Sequence, residues 1–167
     1  LDIEAATAED FATAFTDCDA VVFAAGGGPD GKIERKKSVD LEGSLKSIEA
    51  AKTLGIRRFV QISAMGVDND PGDDASPVWK AYVEAKRDAD VALRDSGLDW
   101  TIVRPGTLTN DPGTGSVTVG ETVDRGEIPR ADVAAVIAAA LADDSTIGKQ
   151  FEVITGDTPI ADALRGL

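Results

Sequence analysis

Apolar and polar positions along the chain alternate between two periods. Short continuous apolar runs end in glycine, proline or serine, and between them lie longer stretches with apolar residues three and four apart. "AVVFAA" (20–25) is such a run and stops at a row of glycines, as a strand buried on both faces does. "RRFVQIS" (57–63), "WTIVRP" (100–105) and "FEVIT" (151–155) predict three more strands, and "VTVG" (117–120) a short one. The helical spacing appears in "SVDLEGSLKSIEAAKTLG" (38–55), with Leu41, Leu45 and Ile48 in line and Gly55 as the C-terminal cap. It recurs in "VWKAYVEAKRDADVALRDSG" (78–97) and in "RADVAAVIAAALAD" (130–143), where Val133, Val136, Ile137, Ala140 and Leu141 share a face. A short acidic helix is expected at 7–16, and loops at 69–77 and 109–116.

Strands alternating with helices predict an α/β fold, a parallel sheet joined by right-handed crossovers. A length of 167 residues suits one domain spanning 1–167. No apolar run is long enough to span a membrane, and "LDIEAATAED" lacks a signal-peptide pattern, so a cytoplasmic location is the expectation.

Charge narrows the partners. Seventeen basic against thirty acidic residues leave a net charge of −13, spread along the chain. Such a surface repels nucleic acid and anionic membranes, so neither is an expected partner. The excess of aspartate over glutamate and the scarcity of lysine suit either a high-salt cytoplasm, where screening makes a dense acidic surface tolerable, or an ordinary acidic protein. The chain has no histidine and one cysteine, Cys18. That excludes histidine bases, histidine metal sites, cysteine metal clusters and an internal disulfide. "DNDPGDD" (68–74) lacks the residue order of a calcium loop and reads as a solvated turn, so no metal is expected.

The glycines after the first strand raise one nucleotide-binding possibility. Gly26, Gly31 and Lys32 fit the spacing of a phosphate loop, G-x-x-x-x-G-K. The hydroxyl that would bind magnesium is replaced by Ile33. Pro29 removes an N–H donor, and Asp30 puts a carboxylate where anions should sit. The next strand ends at Ser63 without the aspartate that would hold the metal. Nucleoside-triphosphate hydrolysis is therefore not expected.

A different constellation fits carbonyl chemistry. Tyr82 and Lys86 stand four apart on one helical face. Tyr82 lies within the apolar stripe Val78, Ala81, Ala85, Ala89, Ala92 and Leu93, with Lys86 at its edge. A phenol can give a proton to a reduced carbonyl, and a neighbouring ammonium eases formation of the phenolate. Ser63, at the carboxyl end of a strand, stands where ligands bind in parallel sheets. The competing reading makes Tyr82 a core aromatic and lets Lys86 reach solvent along its stem.

Taken together, these stretches resemble the short-chain dehydrogenase/reductase superfamily. The likeness is greatest to its atypical NAD(P)-binding branch, which includes NmrA-like proteins, biliverdin reductase B-like flavin reductases and proteins described as sugar-nucleotide epimerases. "LDI" (1–3) matches the end of the family's third strand, and "DAVVFAAGGG" (19–28) its fourth strand and glycine turn. "VDLEGSLKSIEAAKTLGIRRFVQISAMG" (39–66) matches the next helix and strand, "YVEAK" (82–86) the Tyr/Lys helix, and "SGLDWTIVRPGTLTNDPGTG" (96–115) the sixth strand with its R-P-G turn. "RADVAAVIAAAL" (130–141) and "GKQFEVITGDTPI" (148–160) match the last helix and strand.

The resemblance implies a Rossmann-type doubly wound sheet, NAD or NADP as cofactor, and an oxidoreductase or epimerase-like enzyme that transfers hydride to or from a small carbonyl, flavin or quinone-type substrate. It implies Tyr82, Lys86 and Ser63 as catalytic residues, with Lys86 also binding ribose. It places Asp2, Ile3, Ala24, Ala25, Gly26, Gly27, Pro105 and Gly106 against the dinucleotide. A non-catalytic NAD(P)-binding regulator of the NmrA kind is the alternative.

The family's opening strand-glycine loop-helix, which holds the pyrophosphate, has no counterpart here. The first two strands and most of the third, about 55–65 residues, are expected upstream of Leu1. Without the first strand, Val21–Ala25 would be an exposed apolar edge, so self-association into a homo-oligomer and weak cofactor binding are expected. The separation of Ser63 and Tyr82 by 19 positions is longer than usual for the reductases.

Overall fold

A computed structural model describes residues 1–28 and 32–167. The sequence readings placed on Pro29, Asp30 and Gly31 lie outside the described residues. The chain divides into two compact units, Leu1–Phe59 with Gly66–Asp99, and Val60–Met65 with Trp100–Leu167.

The first unit begins with helix α1, Ala8–Ala14. Thr7 and Asp10 form a capping box: the Thr7 hydroxyl accepts from Asp10 N at 3.3 Å, and the Asp10 carboxylate accepts from Thr7 N at 2.8 Å. Phe11 is buried with Ala6 and Ala50. It meets Phe15 edge to face at 5.9 Å. Strand β1, Ala20–Phe23, follows and buries Val21 and Phe23.

The helix expected at 38–55 starts earlier and is not uniform. It runs as α2, Ile33–Arg35, then a π-helical segment, Lys36–Leu41, then α3, Glu42–Leu54. Gly55 closes it in the left-handed conformation at φ 73°, as the sequence predicts. The wider π turn shifts the phase of the buried stripe. That stripe runs through Asp40, Ser44, Ser47, Ile48 and Ala51, and the expected stripe residue Leu45 is 40% exposed.

Helix α4, Pro77–Arg94, begins at Ser76, whose hydroxyl accepts from Trp79 N at 3.2 Å. Its basic side chains fasten the preceding loop. Arg87 donates to the carbonyls of Val67 and Asn69, both at 2.9 Å, and Lys80 donates to that of Asp73 at 2.8 Å.

Strand β2, Arg58–Ile62, carries the chain from the first unit into the second. The other strands of the second unit are β3 (Asp99–Pro105, entering at Trp100), β4 (Thr107–Thr109), β5 (Ser116–Gly120), β6 (Glu127–Pro129), β7 (Lys149–Thr155) and β8 (Thr158–Pro159). Here the sheet order is β2-β3-β7-β5-β8, with β4 and β6 paired separately.

β3 and β7 are parallel, with Val103 opposite Phe151 and Arg104 opposite Glu152. β5 runs antiparallel to both β7 and β8, so the sheet is mostly rather than wholly parallel. Gly156, between β7 and β8, passes close to β5 and has no room for a side chain, since a Cβ there would meet Thr118 Oγ1 and N.

Helix α5, Arg130–Leu141, lays Val133, Val136 and Ala140 against Val60, Val103, Val117, Ile128, Phe151 and Val153. Helix α6, Ile160–Arg165, which the sequence pattern did not suggest, completes that core with Ile160, Ala163 and Leu164. Burying each large apolar side chain contributes about 1.5–3 kcal/mol. Among the described residues no helix is long and apolar enough to cross a membrane.

Candidate active site

In the first unit the site is built by two helical segments and one glycine turn. The π segment supplies Lys36 and Asp40, α4 supplies Tyr82 and Lys86, and the turn after β1 supplies Gly26–Gly28. Asp40 sits at the centre and is 1% exposed. Its Oδ2 accepts from Gly27 N at 2.8 Å. Its Oδ1 lies 3.4 Å from Lys86 Nζ.

Lys86 is 6% exposed, so it is buried and not at the rim of the α4 stripe as its spacing suggested. The buried carboxylate is what makes this affordable, since an unpaired ammonium could not be held there. Asp90, one turn further along α4, is also fully buried.

Tyr82 is half-buried, and its ring stacks on that of Trp79 at 5.4 Å. Lys36 Nζ lies 5.8 Å over the Tyr82 ring. The same ammonium donates a short hydrogen bond to the Gly28 carbonyl. Burial, then the charges of Asp40 and Asp90, push the Tyr82 phenol up to about 12. This is opposite to the expected easing by Lys86. The physical reason is burial first, which disfavours the charged phenolate, and then the nearby carboxylates of Asp40 and Asp90, the first of which also pairs with the Lys86 charge.

The glycine turn packs closely against its own neighbours. A Cβ on Gly27 would stand 2.7 Å from the Arg35 carbonyl oxygen, so only glycine fits there. Gly28 has φ +71°, the left-handed region that favours glycine. Gly26 is exposed, and a Cβ on it would approach Asp40 Oδ1 to 3.2 Å. Exposed Ala24 and half-buried Ala25 lead into this turn.

Asp2 and Ile3 make contacts within the first unit. Asp2 Oδ1 accepts from Glu4 N at 3.0 Å. The Ile3 side chain packs where a Cβ on Gly43 would come within 2.6 Å, and its carbonyl accepts from Lys46 Nζ at 3.2 Å.

In the second unit Ser63, Pro105 and Gly106 gather at the carboxyl ends of β2 and β3. Ser63 is 3% exposed and its N–H donates to the Val103 carbonyl at 2.8 Å. The Pro105 carbonyl accepts from Met65 N at 3.2 Å, and Gly106 N donates to the Val153 carbonyl at 3.0 Å. A Cβ on Gly106 would stand 2.3 Å from the Gly126 carbonyl oxygen.

The loop beyond is fixed by Asp132, which accepts from Thr114 N, Thr114 Oγ1 and Gly115 N at 2.9–3.0 Å. Burial acts to raise the Asp132 carboxyl, but these hydrogen bonds outweigh it and hold it below the usual range. Among the described residues no cluster of three or more metal-ligating side chains is present.

Asp40, Asp132, Lys36 and Trp79 escaped the sequence reading. Asp40 had a signal: a carboxylate between Val39 and Leu41 in an otherwise apolar helical stripe. Lys36 had none, because only the π segment turns it inward.

Comparison with known proteins gives the family and the fold. The model of the NAD(P)H-binding family matches residues 1–144. An uncharacterized sugar epimerase of Bacillus subtilis is 43% identical over 159 residues, which is 95% of this chain and 73% of that protein. Among solved structures, an NAD-dependent epimerase/dehydratase candidate from Bacillus halodurans has a TM-score of 0.88 at 46% identity, covering 97% of this chain and 76% of that one. An oxidoreductase from Lactococcus lactis has a TM-score of 0.87 at 29% identity, covering 100% and 75%. The expected Rossmann-type α/β fold is thus the fold of the chain.

Proposed function

We propose that this chain, which belongs to the NAD(P)H-binding family, is an NAD(P)-dependent oxidoreductase acting on a small carbonyl, flavin or quinone-type substrate. The observation that carries the reading is the buried meeting of Lys86, Asp40 and the Gly27 N–H beside Tyr82. When bound, NAD(P)H supplies a hydride.

The chain's own residues then do three things. Lys86 and the backbone of Gly26 and Gly27 hold ribose hydroxyls. Tyr82 donates its Oη proton to the substrate oxygen that gains charge. Ser63, Pro105 and Gly106 keep the carbonyl-orienting and nicotinamide-contact roles that the family resemblance gives them.

A phenol held near 12 suits an acid rather than a base. It stays protonated at neutral pH, yet an alkoxide is basic enough to take its proton. The phenolate left behind faces Asp40 and Asp90, so it is reprotonated readily.

The same electrostatics favour a second reading. Lys86 is already paired with Asp40 and nothing lowers the Tyr82 phenol, as suits a protein that binds NAD(P) and senses it without turnover. Oxidation of NADPH and NADH is measured with a panel of aldehydes, ketones, quinones and flavins. Turnover that Tyr82→Phe abolishes supports the enzyme. Cofactor binding with no turnover of any member supports the sensor and sinks the enzyme.

A further inference from the structure

We infer that Lys36 is the anion-binding residue of this site and selects carbonyl ligands that carry a carboxylate. Lys36 is 6% exposed, as deeply buried as Lys86. Lys86 has the Asp40 carboxylate at 3.4 Å. Among the described residues Lys36 has no carboxylate within ion-pair distance. Its ammonium donates to the neutral carbonyl of Gly28 and lies 5.8 Å over the Tyr82 ring.

Burying an ammonium is costly unless an opposite charge compensates it. A carbonyl and a ring face return only part of that cost. The carboxylates of neighbouring segments are committed elsewhere. Asp40, on the same π segment, gives Oδ2 to Gly27 N at 2.8 Å and Oδ1 to Lys86. Glu4 pairs with Arg35 at 3.3 Å and accepts from Ser38 Oγ at 2.6 Å. The chain carries thirty acidic residues, and none of those described is set against this ammonium. Such a cation fits a site whose counter-charge arrives with the ligand.

The ammonium is approached from the Gly28 side. Gly28 is exposed, and a Cβ built on it meets nothing within 4 Å. One positive charge is matched by one negative charge. A carboxylate neutralises it, whereas a phosphate dianion leaves a charge in excess close to Asp40. A carboxylate held over the Tyr82 ring belongs with the reacting ligand and not with the ribose near Lys86 and Gly27. Calling that ligand a substrate rests on the reading of Tyr82 as proton donor; anion binding at Lys36 does not.

The test compares 4-formylbenzoate with its methyl ester, which share a ring and a carbonyl and differ in charge. Binding of each, and of NADPH and NADH, is measured by titration calorimetry on the parent protein, Lys36→Arg and Lys36→Met. The parent protein is expected to bind the acid about 10-fold more tightly than the ester, and Lys36→Arg to keep most of that preference. In Lys36→Met the two should bind within about 2-fold of each other, with NADPH affinity also within about 2-fold of the parent. The acid should raise the thermal unfolding midpoint of the parent protein and not that of Lys36→Met. Without ligand, Lys36→Met should unfold at the parent midpoint or above it, because an uncompensated buried charge has been removed.

A parent protein that does not bind the acid, or binds acid and ester alike, overturns the inference. So does a preference that survives in Lys36→Met. A Lys36→Met protein that unfolds at lower temperature, or fails to fold, gives Lys36 a structural role and overturns it too. Loss of affinity for NADPH but not NADH in Lys36→Met would assign the ammonium to the cofactor's phosphate instead. Turnover is scored separately. Acid bound through Lys36 without reduction leaves the anion site standing and counts against the reductase, and equal reduction of acid and ester removes the anion site but not the reductase.

Discussion

Lys86 Nζ and Asp40 Oδ1 face each other at 3.4 Å with side chains 7% and 1% exposed. The other oxygen of the same carboxylate accepts from the Gly27 N–H. One buried charge therefore joins the Tyr/Lys helix to the glycine turn. Breaking such a pair by removing one partner leaves the other uncompensated in a low-dielectric site. Asp40→Ala is expected to lower stability by about 3–5 kcal/mol. The double variant Asp40→Ala/Lys86→Met should recover part of that loss. Urea unfolding of the three proteins checks this, and equal losses for the single and double variants would count against a buried pair.

Tyr82 is the sole tyrosine, so the near-ultraviolet tyrosinate signal reports it alone. With its phenol pushed up to about 12, no phenolate should form before strongly alkaline pH. Asp40→Asn removes a charge that disfavours the phenolate, so its titration should begin at lower pH. A midpoint near that of free tyrosine in the parent protein would show that neither burial nor the two aspartates act on it.

Asp132 holds the loop at Thr114 and Gly115 through three hydrogen bonds. Its carboxyl is depressed in the folded state, so its contribution is fully present above the unfolded value, about 3.9. That contribution is lost as pH falls through the lower folded value. Asp132→Ala is expected to cost about 1.5–3 kcal/mol at neutral pH. The difference from the parent protein should shrink in acid. A constant difference from neutral to acid pH would contradict the assignment.

Gly106 has no room for a side chain, with a Cβ position 2.3 Å from the Gly126 carbonyl oxygen and 3.0 Å from Ile154 Cγ2. Gly106→Ala should therefore move backbone and destabilise by about 1–3 kcal/mol. Thermal unfolding measures it. An unchanged midpoint would mean that the R-P-G turn has slack at this position.

Much of the fold was legible in the pattern. The strands at 20–23, 58–62, 99–105 and 149–155 and the helices at 8–14, 77–94 and 130–141 fall where apolar period and capping residues placed them. The π segment was not legible, because side-chain spacing reports where apolar residues recur and not how many residues close a turn. Within it Lys36 and Asp40 are buried, and in the α3 that follows Leu45 is exposed. The short helix at 160–165 was missed because six residues are too few to show a period.

At the site, Tyr82 and Lys86 were found by their spacing. The partner that sets their electrostatics comes from 46 residues earlier in the sequence than Lys86, and only tertiary contact reveals it. The antiparallel edge was missed for a similar reason. The direction of β5 appears only in its pairing with β7 and β8, which its own spacing does not report.

The central claim, that Tyr82 is the proton donor of an NAD(P)-dependent reductase, is tested most directly by comparing the parent protein with Tyr82→Phe. Affinity for NADPH and the rate of its oxidation by a reducible carbonyl, quinone or flavin are measured side by side. The account predicts cofactor affinity within about 2-fold and turnover lower by about 100-fold or more, the scale of a lost general acid. Turnover by Tyr82→Phe at the rate of the parent protein would contradict it.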